Sequence, residues 1–394
     1  MNQRYCPRHV FRMTKNCYMF SSFSLLKKLD WLIISAIFIL TITSILMVYS
    51  TTHQNSDWHM AQKQLLFYAI GFLVMIGLSL VDYRIFREHS WILITFYFIA
   101  IATLIGLLFF GTTIRGSRSW YNLGFFNFEP IELIKLVMVF ILAKYFSSRH
   151  IEMYRVRHIL ISGLYLAIPV TLALKQPDFG SVIILGFIWL GIMIISGIKW
   201  RHFATLGIAG IGGGVLAWFF LFKDYQKARL LSFLDPYKDP LGAGYNIIQS
   251  KIAIGNGGLW GRGLAQGPQT QLGFLPEAHN DFIFAALSEE WGLIGAIILL
   301  SIFAFLFWRI LKVCLQSQNN FARLFALGYL LLIFIQVAIN ISTNLGLLPI
   351  TGIVLPFISY GGSNLLINFI GLGILQSIII RQKLGYRNEE LNIE

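Results

Sequence analysis

The sequence predicts an all-α, polytopic membrane protein with about ten transmembrane helices and a large extracytoplasmic loop between helices 7 and 8. Three observations lead there. The chain is 56% hydrophobic and only 12% charged, where a soluble domain carries roughly 25% charged residues. Apolar runs near 20 residues recur along most of its 394 residues, and each is long enough to cross a bilayer as a helix. The runs do not alternate with period two, which argues against a β-barrel.

Taken in order, apolar run length places spans at about 31–49, 64–81, 90–109, 131–147, 158–174, 180–198, 203–222, 281–311, 324–345 and 354–379. The first is full length and is followed by more of the same, so it reads as an anchor and not as a cleaved signal peptide. Starts at Met1, Met13 or Met19 would each leave it intact. The eighth is long because a polar island at its start continues into it as one helix. Glycines Gly210 and Gly214 in the seventh span read as small residues for helix packing. No internal repeat is evident.

Basic residues orient the bundle, because cytoplasmic loops carry the excess of Lys and Arg. Of 31 Lys and Arg, twenty fall at one set of ends, ten at the other, and Lys135 lies inside a span. The expected organisation is a basic cytoplasmic arm at 1–29, a ten-helix membrane domain at 30–381 with an extracytoplasmic loop at 223–280, and a cytoplasmic tail at 382–394. This distribution also explains the net charge of +13 without a nucleic-acid partner. Cys6, Cys17 and Cys314 are isolated, so they offer neither a disulfide framework nor metal spacing.

Four polar segments stand out. The first is the island FLPEAHNDFIFAALSEEWG at 274–292, with Glu277, Asp281, Glu289 and Glu290 in a chain that has only 18 acids. An ionisable group at the mouth of a membrane helix is a functional candidate by default. Pro276 suits a first helical turn, and in a helix Glu277 and Asp281 would share a face, continued by Ser288. Two readings stand for Glu277 and Asp281: acids that cap a helix and pair with loop arginines, or Asp281 as a general base with Glu277 to orient it. Glu289 and Glu290 read as structural acids.

The second segment is RGSRSWYNLGFFNFEPIELIKL at 115–136. Glu132 and Lys135, three apart, can neutralise each other inside an apolar helix. Arg115 and Arg118 beside Trp120 read either as an interfacial belt or as a clamp for a lipid-linked phosphate. The third, KQPDFGS at 175–181, is a turn carrying Asp178. The fourth is the glycine-rich run at 242–271, which matches no phosphate-loop pattern; its glycines let backbone approach a ligand or a neighbouring helix closely. These residues alone leave three readings open: an enzyme on a lipid-linked substrate, a transporter of an anion, and a scaffold.

The blocks WYNLGFFNFEPIELIKL, KQPDFGS, GAGYNIIQSKIAIGNGG, FLPEAHNDFIFAALSEE and TGIVLPFISYGGSNLL, in that order, resemble the SEDS family of bacterial shape, division and sporulation proteins, over about Asp30 to Arg381. They are closer to its elongation members than to its division members. The resemblance implies a peptidoglycan glycosyltransferase that polymerises lipid II on the outer face of the bacterial cytoplasmic membrane, with both termini cytoplasmic. The implied partners are lipid II, the lipid-linked glycan, a class B penicillin-binding protein and other elongation-complex membrane proteins. The essential acid of the family falls on Asp281, the tryptophan of its first extracellular block on Trp120, the helix lysine on Lys135 and the QPD acid on Asp178. Two positions depart from the family pattern: Glu129-Pro130-Ile131-Glu132 stands where Gln-Pro-Ser-Glu is usual, and Asn280 where Thr is usual. Substrate binding is expected from Trp120, Arg118, Lys135, Glu132, Glu277, Asp178 and Arg229. No cofactor is expected for certain; a divalent cation is an alternative source of positive charge at the leaving group. The alternatives are a lipid II flippase and a non-catalytic scaffold for the penicillin-binding protein.

Overall fold

The computed structural model describes residues 25–52, 58–114, 117–124, 127–148, 156–220, 227, 231–242 and 244–390, without the side chains of 112–114, 117, 118, 211, 217 and 385–390. The chain folds as a helical bundle. Its helices are α1 (Trp31–Thr52), α2 (Trp58–Leu80), α3 (Ser90–Phe110), α4 (Pro130–Ser147), α5 (Val156–Lys175), α6 (Phe179–Ile195), α7 (Trp200–Phe220), α8 (Tyr245–Gly257), α9 (Ile283–Gln316), α10 (Asn320–Asn344) and α11 (Gly362–Glu390).

Eight of these are long and apolar enough to cross a membrane. The other two expected spans are present as helices but fall short of that standard. The α6 helix has 17 residues; α4 has 18 and carries Glu132, Lys135 and Lys144. The final helix runs through the boundary expected at 381 to Glu390.

Local chemistry starts the helices where the sequence changes character. Asp30 accepts hydrogen bonds from the Leu32 and Ile33 amides at 3.1 and 3.3 Å, capping α1. Asn319 caps α10 through the Phe321 amide at 2.9 Å. Such side chains satisfy amide donors that the first helical turn leaves open. Pro130 opens α4, where a missing N–H removes nothing.

The last helix is the axis of the fold. It buries 89% of its central window, whereas α7 buries none of its own and lies at the periphery. α11 packs most extensively on α2. Gly71 permits this approach: a Cβ there would stand 2.2 Å from the Phe369 ring. By contrast, Gly210 and Gly214 have nothing within 4 Å of a would-be Cβ. The packing role expected for those two is therefore not realised; on this outlying helix they face open space.

Two departures from an all-helical reading position the site. The strands β1 (Thr112–Ile114), β2 (Ser117–Asn122) and β3 (Asn127–Phe128) form a small antiparallel sheet. Asn122 accepts from the Gly124 amide at 2.8 Å, and Gly124, at φ +78, turns the chain away from the end of β2. Tyr121 ties the sheet to α3 by donating to the Thr103 carbonyl at 2.8 Å. Secondly, the strap between α10 and α11, residues 345–361, is non-helical yet largely buried at 353–359. Backbone polar groups away from water need partners. Ser44, Gln64 and Tyr68 supply them from the apolar helices α1 and α2, donating to the carbonyls of Ile358, Ser359 and Phe357 at 2.7, 3.2 and 2.6 Å.

Candidate active site

The connections 110–130, 175–179, 220–283 and 344–362 meet at one end of the bundle. Residues 276–282 form turns there, and the helix starts only at Ile283. Glu277 has a left-handed backbone, φ +50, which is uncommon away from glycine. Its carbonyl accepts from the Asn280 and Phe282 amides at 3.0 and 3.3 Å, and its carboxylate from Asn280 Nδ2 at 2.8 Å. The expected shared helical face of Glu277, Asp281 and Ser288 is therefore corrected: these hydrogen bonds close a tight turn that ends before the helix begins. Glu277 braces the residue next to Asp281.

Asp281 is held by its backbone. Asn340 Nδ2 and Asn344 Nδ2 both donate to the Asp281 carbonyl at 2.9 Å. Asn340 also donates to the Ile353 carbonyl at 2.8 Å, and Asn344 Oδ1 accepts from the Ala285 amide at 3.0 Å. One pair of amides on α10 thus locks the acid loop, the start of α9 and the strap together. The carboxylate faces the strap at Gly352, where a Cβ would stand 3.9 Å from Asp281 Oδ2. Gly352 has φ +72, so its backbone turns in a conformation that other residues rarely adopt. Asn280 is fixed as well: its carbonyl accepts from Ser359 Oγ at 2.7 Å, and the Tyr360 amide donates to the His279 carbonyl at 2.9 Å.

The other group surrounds α4. Lys135 Nζ and Glu132 Oε1 are 2.7 Å apart, with side chains only 3% and 8% exposed. Asn364 Nδ2 donates to the other Glu132 oxygen at 2.9 Å, and Asn368 supports Asn364 at 2.8 Å. Asp178 and Glu129 lie close enough to act on the Lys135 charge. Asp178 also caps α6, accepting from the Ser181 amide at 3.0 Å. The Trp120 indole hydrogen-bonds the Glu129 carboxylate, which burial and the neighbouring Glu132 raise from 4.5 to about 8. The Glu129 amide donates to Ser363 Oγ at 3.0 Å.

The strap and the first turn of α11 join the two groups. The strap meets Asp281 at Gly352 and α6 at Gly180, and the first turn of α11 meets α4 at Asn364 and the sheet through Ser363. A Cβ on Gly180, two residues from Asp178, would stand 3.0 Å from the Thr351 carbonyl. Of the residues expected in the site, the strap and the start of α11 link Asp281, Glu277, Glu132, Lys135, Asp178 and Trp120 through direct or shared contacts. Arg115 and Arg229 lie outside the described residues, as does the side chain of Arg118. Among the described residues no group of three His, Cys, Asp or Glu side chains is placed to hold a metal ion.

Sequence reasoning missed Asn340, Asn344 and Glu129 as parts of this arrangement. The signal for the first two was present: two carboxamides one turn apart in an apolar run. Glu289 and Glu290 are structural, as expected. Glu289, fully buried, accepts from the Gln269 and Thr270 amides and from Thr270 Oγ1 at 2.8, 3.0 and 2.7 Å. Glu290 accepts from Ser50 Oγ of α1. The glycine-rich run serves helix packing: a Cβ on Gly257 would stand 1.9 Å from the Ser288 carbonyl.

Known proteins are similar to this chain over most of its length. Peptidoglycan glycosyltransferase MrdB of Escherichia coli strain K12 is 37% identical over 345 residues, 88% of this chain and 92% of that protein. A chain from a solved peptidoglycan synthase complex that coordinates polymerization and crosslinking superposes with a TM-score of 0.77 at 30% identity, covering 90% of this chain and 98% of that one. Rod shape determining protein RodA of Thermus thermophilus superposes with a TM-score of 0.67 at 25% identity, covering 89% and 96%. The family model for the cell cycle proteins FtsW, RodA and SpoVE matches residues 25–384, and the chain belongs to that family.

Proposed function

We propose that this multi-pass membrane protein is a peptidoglycan glycosyltransferase that polymerises lipid II into glycan strands for cell-wall elongation, with Asp281 as the general base. The observation that carries the assignment of the base is the way Asp281 is held. Asn340 and Asn344 grip its carbonyl, so the backbone is rigid while the carboxylate faces a glycine turn of the strap. General-base assistance of this kind is worth roughly 10²–10⁴ in rate.

The reaction is a single displacement. The acceptor 4-hydroxyl attacks the anomeric carbon, its proton passes to Asp281, and the bond to the lipid pyrophosphate breaks as the β-1,4 bond forms. The anomeric carbon inverts. Positive charge must meet the departing pyrophosphate. Lys135, Arg118 and Arg229 are the candidates. Lys135 is compensated by Glu132 in the resting protein, so it is available to an anion only as that pair rearranges. Trp120, Glu132, Glu277 and Asp178 position the substrate and the loops that hold it. The site end faces outward from the cytoplasmic membrane, because the opposite end carries twenty of the 31 Lys and Arg. Both termini are then cytoplasmic, and the partner is a class B penicillin-binding protein that cross-links the product.

Purified protein with lipid II in detergent tests this reading. Wild type makes glycan strands, and Asp281→Asn makes none while melting at the wild-type temperature, because the carbonyl clamp survives the change. Normal polymerisation by Asp281→Asn refutes the base assignment. Failure of wild type to make strands with the penicillin-binding protein present refutes the enzyme and favours a flippase or a scaffold.

A further inference from the structure

The end of the bundle opposite Asp281 holds a cavity of about 590 Å³. It lies where α2 ends, α4 ends, α9 passes into α10 and α11 exits. Three arginines line it, Arg84, Arg87 and Arg381, with amides such as Gln318, Asn319 and Gln382, and among the described residues no acidic residue does. Like charges gathered in a walled cleft repel one another and focus a positive potential.

The three arginines are not equivalent. Arg381 is built in: its two terminal nitrogens donate to the Ser79 and Leu80 carbonyls at 2.7 and 2.6 Å, closing the end of α2. Arg87 has one carboxylate neighbour, Glu88 at 3.1 Å, with both side chains substantially exposed, so this pair is weak. The Arg84 guanidinium has no hydrogen bond or ion pair among the described residues, and it repels Arg381. Asp82 approaches Arg381 only at 3.8 Å. An adjoining cavity of about 320 Å³ shares Gln316 and Gln382 with the first. It contains Arg309, which is ion-paired with Asp30 on the same wall and keeps a buried Nε–H with no acceptor among the described residues. Three guanidinium groups around one cleft, with Arg84 unpartnered among the described residues and Arg87 only weakly paired, fit an anion with several oxygens, and guanidinium recognises phosphate as a bidentate fork.

The surroundings indicate where that phosphate comes from. Exposed apolar side chains lie one residue from the lining: Ile85 beside Arg84, and Leu315 beside Gln316. A polar cleft at the helix ends flanked by apolar surface suits an amphiphile. Basic pockets between membrane helices on the cytoplasmic side hold phosphate headgroups of anionic lipids. We propose that this cavity is a phosphate-binding site occupied by the headgroup of an anionic phospholipid of the inner leaflet.

Native mass spectrometry of the full-length protein tests the proposal. The probes are phosphatidylglycerol, phosphatidylethanolamine, and soluble glycerol phosphate. The variant is Arg84→Ala/Arg87→Ala, which leaves the Arg381 contacts in place. Wild type is expected to retain phosphatidylglycerol over phosphatidylethanolamine, and the variant to lose about tenfold or more of that preference, the effect of removing one or two charge-assisted contacts. Equal retention of phosphatidylglycerol by both proteins, with equal melting temperatures in phosphatidylethanolamine, overturns the site. If glycerol phosphate stabilises wild type but not the variant and phosphatidylglycerol has no effect, the lipid is overturned as the source and the phosphate site stands.

Discussion

Removing Lys135 should harm the protein more than removing Glu132, although the two form one ion pair. At 2.7 Å their gross attraction is about 6 kcal/mol at an effective dielectric constant near 20. Desolvation of both groups offsets much of this, so the net worth of the pair is small, while breaking it costs about 3–5 kcal/mol. The asymmetry comes from the neighbours. Lys135 also feels Asp178 and Glu129. Lys135→Met leaves three carboxyl groups with no cation among them. Glu132→Gln leaves the lysine with the Asp178 carboxylate still at hand, and the new amide can still accept from Asn364. We expect Lys135→Met near the upper end of that range and Glu132→Gln near or below the lower end. The double variant should be less destabilised than the sum of the two singles by about 1–3 kcal/mol. Denaturant or thermal unfolding in detergent, read on a full double-mutant cycle, measures this. Coupling below about 0.5 kcal/mol, the usual limit of additivity for independent sites, would refute the reasoning. So would a Glu132→Gln variant less stable than Lys135→Met.

Glu129 makes stability fall with rising pH. Its folded value is raised from 4.5 to about 8, so its contribution is fully present below 4.5 and is lost by about 8. Glu129→Gln should therefore gain stability over wild type progressively across that window and hold a constant gain above it; melting temperatures of both proteins from pH 4.5 to 9 give the answer, and a pH-independent difference removes this role. Glu289→Gln places an amide donor against donors at Gln269 and Thr270, with an expected loss of about 2–4 kcal/mol. Limited proteolysis should then cut earlier within 259–272; an unchanged cleavage pattern counts against the carboxylate as the clasp of that segment.

Several site residues were legible because their signal is local. Glu132 and Lys135 lie three apart on one helix, and a buried pair at that spacing is what α4 forms. Asp281 stood out as an acid entering an apolar run. Glu277 was singled out for the wrong geometric reason. Its spacing from Asp281 fits a helix, but the left-handed backbone at Glu277 closes a turn instead. The strands β1 to β3 were not anticipated, since their short β-branched and aromatic runs sit between two much stronger apolar signals.

Composition and apolar run length by themselves determined a helical membrane protein, the approximate position of its spans and the basic asymmetry of their ends. Those properties are sums over neighbouring residues, so the linear order contains them. Tertiary structure decided that residues 351–364 would tie Asp281 to the Lys135 group. It also decided that Ser44, Gln64 and Tyr68 would serve that strap from the other end of the chain, and that Asn340 and Asn344 would hold Asp281 by its carbonyl. A buried, non-helical backbone must find its hydrogen-bond partners wherever the fold brings them. Here they come from 289 to 314 positions away, a distance over which no local pattern in the sequence can report.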